Sequence, residues 1–591
     1  MLEHVEKHKT ASGASQEIVR RHVKSYSPAP HMRDYEELYK GFSWGDIENE
    51  FSWKKTGKIN IAHECADRHC DTWRKNKVAL FFADDSGVQK YTFQDLTRES
   101  NRFANVLREC GVQKGDRVFV FLPRSPELYI AFLGIAKVGA VVGPLFEAFM
   151  MEAIRDRLQD CGAKLIVTNP ELEKRVPFSV LPELKTAILV GAKDRKLEHF
   201  ERSWEHEMSE AADKFKVEWM DREDPLVLHY TSGSTGKPKG ALHVHNAMIG
   251  YLATARYSLD LHEEDTYWCT ADPGWVTGTN YGIYAPWLLG VSNVVRGGRF
   301  DAEKWYKTIE DLKVTVWYSA PTAFRMLMAA GEEKAKRHDL SSLRHVYSVG
   351  EPLNPEVVKW GLNAYGRTIM ENWWMTECGM QLICNYPCLS LKLGSMGRPF
   401  PGTEAAIVTD SGERLPPYEI GNLAVKKGWP SMMRMIWGDE NKFKSYFRGK
   451  ENEWYVSGDS AYMDEEGYFF FEGRIDDVIK TGGERVGPFE VESALVEHPA
   501  VAEAGVIGKP DVMRGSIIKA FVSLRPGFQE SEGLKTELME FVKTRLAAHA
   551  KPREIEFMDK LPKTRSGKIM RRILRAKELG LPVGDTSTLE D

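Results

Sequence analysis

Three glycines, four aliphatic hydroxyls and two lysines crowd into Tyr230-Thr-Ser-Gly-Ser-Thr-Gly-Lys-Pro-Lys-Gly240, a mixture suited to gripping phosphate. Gly233, Gly236 and Gly240 permit backbone angles that a side chain forbids, so successive N–H groups can converge on one anion. Thr231, Ser232, Ser234 and Thr235 add hydroxyl donors, and Lys237 and Lys239 add charge. Far along the chain, Pro562-Lys-Thr-Arg-Ser-Gly-Lys568 supplies a second glycine-containing loop that ends in a lysine. Together the two suggest a phosphate cradle and a remote lysine that meet over one nucleotide. The spacing speaks against a kinase-type or GTPase-type P-loop. That motif needs a longer spacer before its Gly-Lys and a Ser or Thr opening a helix, whereas here only Ser234 and Thr235 intervene and Pro238 follows the lysine. A Gly/Ser turn without a ligand has the same composition, so the loop alone leaves that reading open.

The elements that must position these loops alternate. The apolar run Pro225 to Tyr230 predicts a strand feeding the first loop. Thr92 is placed to cap a helix with Phe93, Leu96, Phe103 and Leu107 on one face, followed by a turn at Lys114-Gly115-Asp116 and a strand over Arg117 to Leu122. Pro126 opens a helix to about Val138, and Ala140 to Pro144 reads as a buried strand, so the apolar stretch Ala131 to Met151, interrupted by Lys137, Pro144 and Glu147, is soluble structure and not a membrane span. Strand-like runs recur at Ala163 to Thr168, Thr315 to Ser319 and Leu343 to Val349, which predicts mostly parallel sheets covered by helices. The charged turn Gly473 to Asp477 is the natural boundary, dividing the chain into 1–475 and 476–591.

Composition restricts without specifying. A chain of 591 residues exceeds what one core usually serves. Its 80 basic and 85 acidic residues leave a net charge of −5, which gives no reason to invoke nucleic acid or an anionic membrane. The eight cysteines form no Cys-x-x-Cys pair and read as reduced thiols of a cytoplasmic enzyme. His63, Cys65, His69 and Cys70 lie close together, but in a helix-like segment without a standard zinc spacing. Met1 to Ser15 carries Glu3 and Glu6 and lacks the apolar centre of a secretory signal.

Further landmarks follow the loop in order: Gly350-Glu-Pro352, Trp373-Trp-Met-Thr-Glu377, Gly397-Arg-Pro399, Tyr455-Val-Ser-Gly-Asp459, Gly473-Arg-Ile-Asp-Asp477 and Gly482-Gly-Glu-Arg485. The ordered set, covering nearly the whole chain, resembles the adenylate-forming superfamily of acyl-CoA synthetases, luciferases and peptide-synthetase adenylation domains. Within it, Ala271-Asp-Pro-Gly-Trp-Val-Thr-Gly278 and the tail Gly584-Asp-Thr-Ser-Thr-Leu589 are most similar to the AMP-forming acetate–CoA ligases. The resemblance implies an α/β fold: a large N-terminal domain of stacked α/β subdomains with a small β-barrel-like part, then a small mobile α+β C-terminal domain. It implies ATP, Mg²⁺ and coenzyme A as cofactors and acetate or another short acid as substrate, with no membrane partner.

A carboxylate attacking the α-phosphate of ATP brings two anions together, so catalysis must come chiefly from placed cations and donors. The resemblance makes Lys568 the lysine bridging acyl and phosphate oxygens, Thr376 a partner of the α-phosphate and Glu377 the Mg²⁺ carboxylate. It assigns Gly350, Glu351, Pro352, Glu371, Asn372 and Trp373 to the adenine side, Asp459 to the ribose hydroxyls, and Arg474 and Arg485 to the phosphates. Val276, Thr277, Val349 and Trp374 would surround the acid, with the Trp374 indole filling the space of a longer alkyl chain. Cys378 and Met380 depart from the usual Thr-Glu-Thr-Gly neighbourhood, which touches fine specificity.

For the second half-reaction, the resemblance makes Asp476 a hinge whose swing removes Lys568 and presents Gly482 and Gly483 to the thiol arm of coenzyme A. Lys543 and Arg545 are candidates for its 3′-phosphate, with ordinary surface charge as the alternative reading. A further cation position falls near Val496, His498 and Val501, where a surface helix end is the other reading. The context around Lys568 also resembles an acetylation site, implying a lysine acetyltransferase and deacetylase as partners. The expected activity is formation of acetyl-CoA, AMP and pyrophosphate through an acetyl-adenylate. The alternatives are a ligase preferring propionate or another small acid, operation in the ATP-forming direction, a carrier-loading adenylation domain, and a nucleotide-sensing binding protein.

Overall fold

The computed structural model describes residues 4–9, 15–21, 26–192, 195–231, 238–475, 477–481, 484–511, 513–563, 569–583 and 589. Two large sheets dominate. The first is an 8-stranded sheet in which Arg117–Val120, Val141–Pro144, Leu165–Thr168, Thr186–Leu189 and Glu201–Ser203 run parallel. Pro225–Thr231 joins it parallel to Val141–Pro144 and turns back through Lys239–Val244 as an antiparallel hairpin. The second sheet has 14 strands, and its parallel part runs in the order Ile369–Trp373, His345–Ser348, Val316–Ser319, Thr266–Cys269, Ser292–Arg296 and Val78–Asp84.

Local chemistry accounts for these elements. The helix Phe93–Glu109 starts at a reciprocal capping box, in which the Thr92 hydroxyl accepts from the Asp95 N–H and the Asp95 carboxylate accepts from the Thr92 N–H. It buries the expected Phe93, Leu96, Phe103 and Leu107. Pro126 opens the helix Pro126–Lys137, where its missing N–H costs nothing, and the buried run Val141–Pro144 follows as a strand. Among the described residues no helix is long and apolar enough to cross a membrane.

The β-barrel-like part takes another form. Ala405–Val408, Gly421–Lys426, Trp454–Met463, Phe469–Arg474 and Ser395–Pro399 make an open antiparallel run that does not close on itself. Ser395–Pro399 pairs instead with Ile383–Cys384, which pairs with Ile369–Trp373, so this run continues the parallel sheet. The expected strand ending at Leu122 stops at Val120, although the Phe121 N–H still reaches the Val167 carbonyl at 2.8 Å. Near the carboxyl end the helix Arg571–Leu579 stops at Gly580, which caps it at φ 64.

After Asp477 the chain builds a three-stranded sheet of Val501–Asp511, Gly515–Leu524 and Glu554–Phe557, flanked by the helices Pro488–Glu497, Glu532–Arg545 and Arg571–Leu579. Val491, Leu495, Val506, Val522 and Leu538 give this part its own apolar cluster. Its contacts with the preceding part include a hydrogen bond from Asn354 Nδ2 to Ser493 Oγ at 2.9 Å and the edge packing of Phe471 on Phe489 at 5.9 Å.

Candidate active site

The phosphate-type loop is the turn of a hairpin: Thr231 pairs with Lys239, and the chain between them is closed by a strand, not by a helix as in a P-loop. Ser232, Gly233, Ser234, Thr235, Gly236 and Lys237 lie outside the described residues. The returning strand is joined to the Glu377 loop. The Trp437 N–H reaches the Gly240 carbonyl at 2.7 Å, the Arg434 N–H the Leu242 carbonyl at 2.9 Å, and the Met433 N–H the Glu377 carbonyl at 3.0 Å. His243 Nδ1 lies 2.9 Å from the Ser431 carbonyl, and burial pushes its pKa down to about 4, so the ring is neutral. Gly379, at φ +73, admits this packing, since a Cβ there would meet the Ser431 carbonyl at 2.4 Å.

Glu377 is buried, with the Tyr446 hydroxyl donating to it at 3.2 Å, and burial holds its carboxyl above the usual range. Thr376 beside it is half-buried. Such a carboxylate fits a divalent cation, which would offset the cost of ionisation. Glu371, on the strand Ile369–Trp373, is also buried and pushed well above the usual range; the Leu353 N–H donates to it at 3.3 Å. Asp459 accepts from the Trp373 indole N–H at 2.9 Å and from Arg474 Nη1 at 3.0 Å, its register partner across the hairpin. The Glu351 side chain is turned to Arg325 at 2.6 Å and Thr322 at 2.9 Å, which leaves the main chain of Gly350, Glu351 and Pro352 as the part available to a ligand. Arg485 pairs through its backbone with Lys480, and nothing is described of its side chain.

Val276, Val349 and Trp374 all lie just beyond the carboxyl ends of parallel strands. From Thr266–Cys269 the chain passes to Ser292–Arg296 on one side, then returns to Val316–Ser319 on the other, which creates a crevice at a topological switch point. Val276 and Thr277 are half-exposed, Val349 and Trp374 buried. The Val276 turn is tight: a Cβ on Gly278 would meet the Asp272 carbonyl at 2.1 Å. Trp374 packs edge to face with Tyr281 at 5.2 Å, and its indole N–H donates to the Tyr318 hydroxyl at 3.2 Å.

Residues expected to act from the carboxyl-terminal part are placed less fully. Lys568, Asp476, Gly482 and Gly483 lie outside the described residues. Lys563 and Ile569, which bracket the Lys568 loop, pair as an isolated bridge, and the Met570 N–H reaches the Pro562 carbonyl at 2.8 Å. Lys543 is ion-paired to Glu540 at 2.9 Å and Arg545 to Glu497 at 2.5 Å. At the expected small-part cation position, Arg525 Nε already donates to the Val501 carbonyl at 2.9 Å, His498 faces Glu537 at 3.2 Å, and Val496 is partly buried in the apolar cluster. His69 Nε2 is bonded to the Trp287 carbonyl at 2.7 Å and Cys65 is buried, as structural residues. Among the described residues only His31, Asp260 and His262 bring metal-type ligand atoms together, and Asp260 there is already held by Arg344 and His345.

Tyr318, Asn372, Gln381, Tyr446 and His243 are the neighbours that sequence reading missed or left without a partner. Only Asn372 adjoins a recognisable motif; Tyr318, Gln381 and His243 are polar residues in apolar runs, and Tyr446 lies in a charged stretch.

Residues 66–437 match the model of the AMP-binding enzyme family, and residues 490–568 match the AMP-binding enzyme C-terminal domain. The chain is 61% identical over 562 residues to an acetyl-coenzyme A synthetase of Bacillus subtilis, covering 95% of this chain and 98% of that one. An acetyl-coenzyme A synthetase of Methanothrix thermoacetophila is 41% identical over 567 residues, covering 91% and 86%. Among solved structures, an acyl-CoA synthetase of Brucella canis superposes with a TM-score of 0.73 at 36% identity, covering 93% of this chain and 99% of that one. An anthranilate CoA ligase in complex with anthranoyl-AMP superposes with a TM-score of 0.82 at 31% identity, covering 88% and 98%. Matched along most of its length by family model, relatives and fold alike, the chain belongs to the AMP-binding enzyme family.

Proposed function

We propose that the protein is an AMP-forming acetate–CoA ligase, which joins acetate to ATP as acetyl-adenylate with release of pyrophosphate, then transfers the acetyl group to coenzyme A with release of AMP. The observation that carries this reading is the position of Trp374, 7% exposed, on the same segment that bears Glu371, Trp373 and Glu377. A wall for a short acid and a set of nucleotide-side carboxylates thus issue from one strand end. The identity to acetyl-coenzyme A synthetases supports acetate as the acid.

In this reading the hairpin loop Thr231 to Lys239 cradles the phosphates, Asp459 takes the ribose hydroxyls, and Arg474 and Arg485 face the phosphates. Glu377 would hold Mg²⁺, which supplies charge neutralisation on the triphosphate. Thr376 orients the α-phosphate, and Lys568 bridges acid and phosphate oxygens as charge develops between them. Once the adenylate exists that lysine has no further task, so residues 476–591 swing about Asp476 and Gly482-Gly483 lines the thiol route. Acetylation of Lys568 would remove its charge and stop the first step only. A cytoplasmic enzyme is the setting this implies.

The test is an acid panel from acetate to octanoate, read as AMP release with and without coenzyme A. Acetate is expected to give the highest kcat/KM, with propionate reduced and octanoate excluded. A preference for octanoate in the wild type would end the small-pocket reading.

A further inference from the structure

The Tyr318 hydroxyl is completely buried, on the central parallel strand Val316–Ser319, and it has three partners. It donates to Asn372 Oδ1 at 2.7 Å and accepts from the Trp374 indole N–H at 3.2 Å and from Gln381 Nε2 at 3.1 Å. A phenol has one proton and two lone pairs, so this set uses the group's full capacity. The opposite constraint on the indole comes from Tyr281. Its ring meets Trp374 at 5.2 Å and 69°, and its own hydroxyl is bonded to Thr254 at 2.7 Å and accepts from the Gln381 N–H at 3.0 Å. Trp374 is therefore held at its ring face by one anchored tyrosine and at its N–H by another. Gln381 ties the two tyrosines together.

An indole has a single donor, and in a buried site that donor must be matched or its rotamer changes. Turning Trp374 away would orphan the indole N–H and strip Tyr318 of one partner, so the neutral network favours the observed orientation. Resting on the proposed acid-binding role of Trp374, we infer that Tyr318 sets the chain-length limit of the acid: it is a positioning residue that holds the indole wall closed without touching the substrate.

The experiment is the chain-length profile of Tyr318→Phe, which keeps the ring and deletes the hydroxyl. The butyrate-to-acetate ratio of kcat/KM is expected to rise about tenfold, the scale of a one-methylene discrimination, with the KM for ATP within about twofold of wild type. Introduced into Trp374→Gly, the same change is expected to leave the ratio unmoved, because a residue acting through the indole has nothing to act on once the indole is gone. An unchanged ratio in Tyr318→Phe, with all acids slowed in proportion, would overturn the inference, as would an equal shift in both backgrounds. Should Tyr318→Phe fail to fold, Gln381→Leu removes one donor to the same hydroxyl; a rise of about threefold is expected, and no rise would overturn the inference. Wild-type protein that releases no AMP with any acid would instead overturn the proposed activity, so the two failures are distinguishable.

Discussion

In the proposed function, the two faces of the Trp373–Trp374 pair are built on opposite principles. On the nucleotide side, buried carboxylates are under-supplied with donors: Glu371 receives a 3.3 Å contact from Leu353 and Glu377 a 3.2 Å contact from Tyr446, and burial holds both above the usual carboxylate range. On the acyl side the polar centre is neutral and the Tyr318 hydroxyl has every partner it can take. A buried carboxylate with few donors is completed by what binds there, whereas a hydroxyl whose own capacity is filled fixes its neighbours in advance. In that reading the contrast separates a half of the pocket that would take cations from a half that would measure size.

The contrast breaks hardest at the cation. Lys568→Ala is expected to lower acid-dependent ATP–pyrophosphate exchange about 10²–10³-fold, while transfer from supplied acetyl-adenylate to coenzyme A changes only a few-fold. Exchange at the wild-type rate would remove the lysine from the first step. Glu377→Gln keeps the shape and removes the charge; a loss of about 10²-fold in AMP release is expected, with the Mg²⁺ requirement displaced to higher concentration and the propionate-to-acetate ratio unchanged. A shifted acid ratio there would show that the two sides are not separable. Trp374→Gly acts on the other half alone: relative kcat/KM for butyrate over acetate rises about tenfold or more, and the KM for ATP stays put.

The smallest effect is expected at the junction of the two parts of the chain, where Glu472 repeats the nucleotide-side pattern. Burial first, and the neighbouring Glu490 second, push its pKa from the ordinary 4.5 to about 8. Between those values the folded protein keeps a proton that the unfolded chain releases, so stability declines as pH rises through that window. Glu472→Gln removes the decline. Its thermal midpoint should exceed wild type by about 2–4 °C at pH 8.5 and match it at pH 4.5. A gap of equal size at both pH values would place the effect in packing, not in titration.

What was legible from residues alone follows from how far apart the partners lie. The strand that feeds the glycine-and-hydroxyl loop, the Thr92 cap and the Pro126 start are local signals, and each of these elements formed where its own residues demanded it. Trp374 could be named from its motif, but not the hydroxyl bonded to it, because Tyr318 meets Asn372, Trp374 and Gln381 across 54 to 63 residues of chain and past the intervening strand His345–Ser348. The open antiparallel run in place of a closed barrel depends on Ile383–Cys384 bridging two sheets, and a two-residue strand leaves no periodic trace. Lys543, Arg545 and the carbonyl of Val501 were visible as charges or as a position, whereas their partners Glu540, Glu497 and Arg525 appear only when helices and strands are assembled.

The hairpin that bears the glycine loop has one more implication. Its returning strand pairs with Met435–Ile436, and the same few residues continue to the main chain of Glu377. In the proposed function, holding a triphosphate and seating its counter-ion would therefore draw on a single stretch of backbone, so the entropy lost in ordering one would be shared with the other.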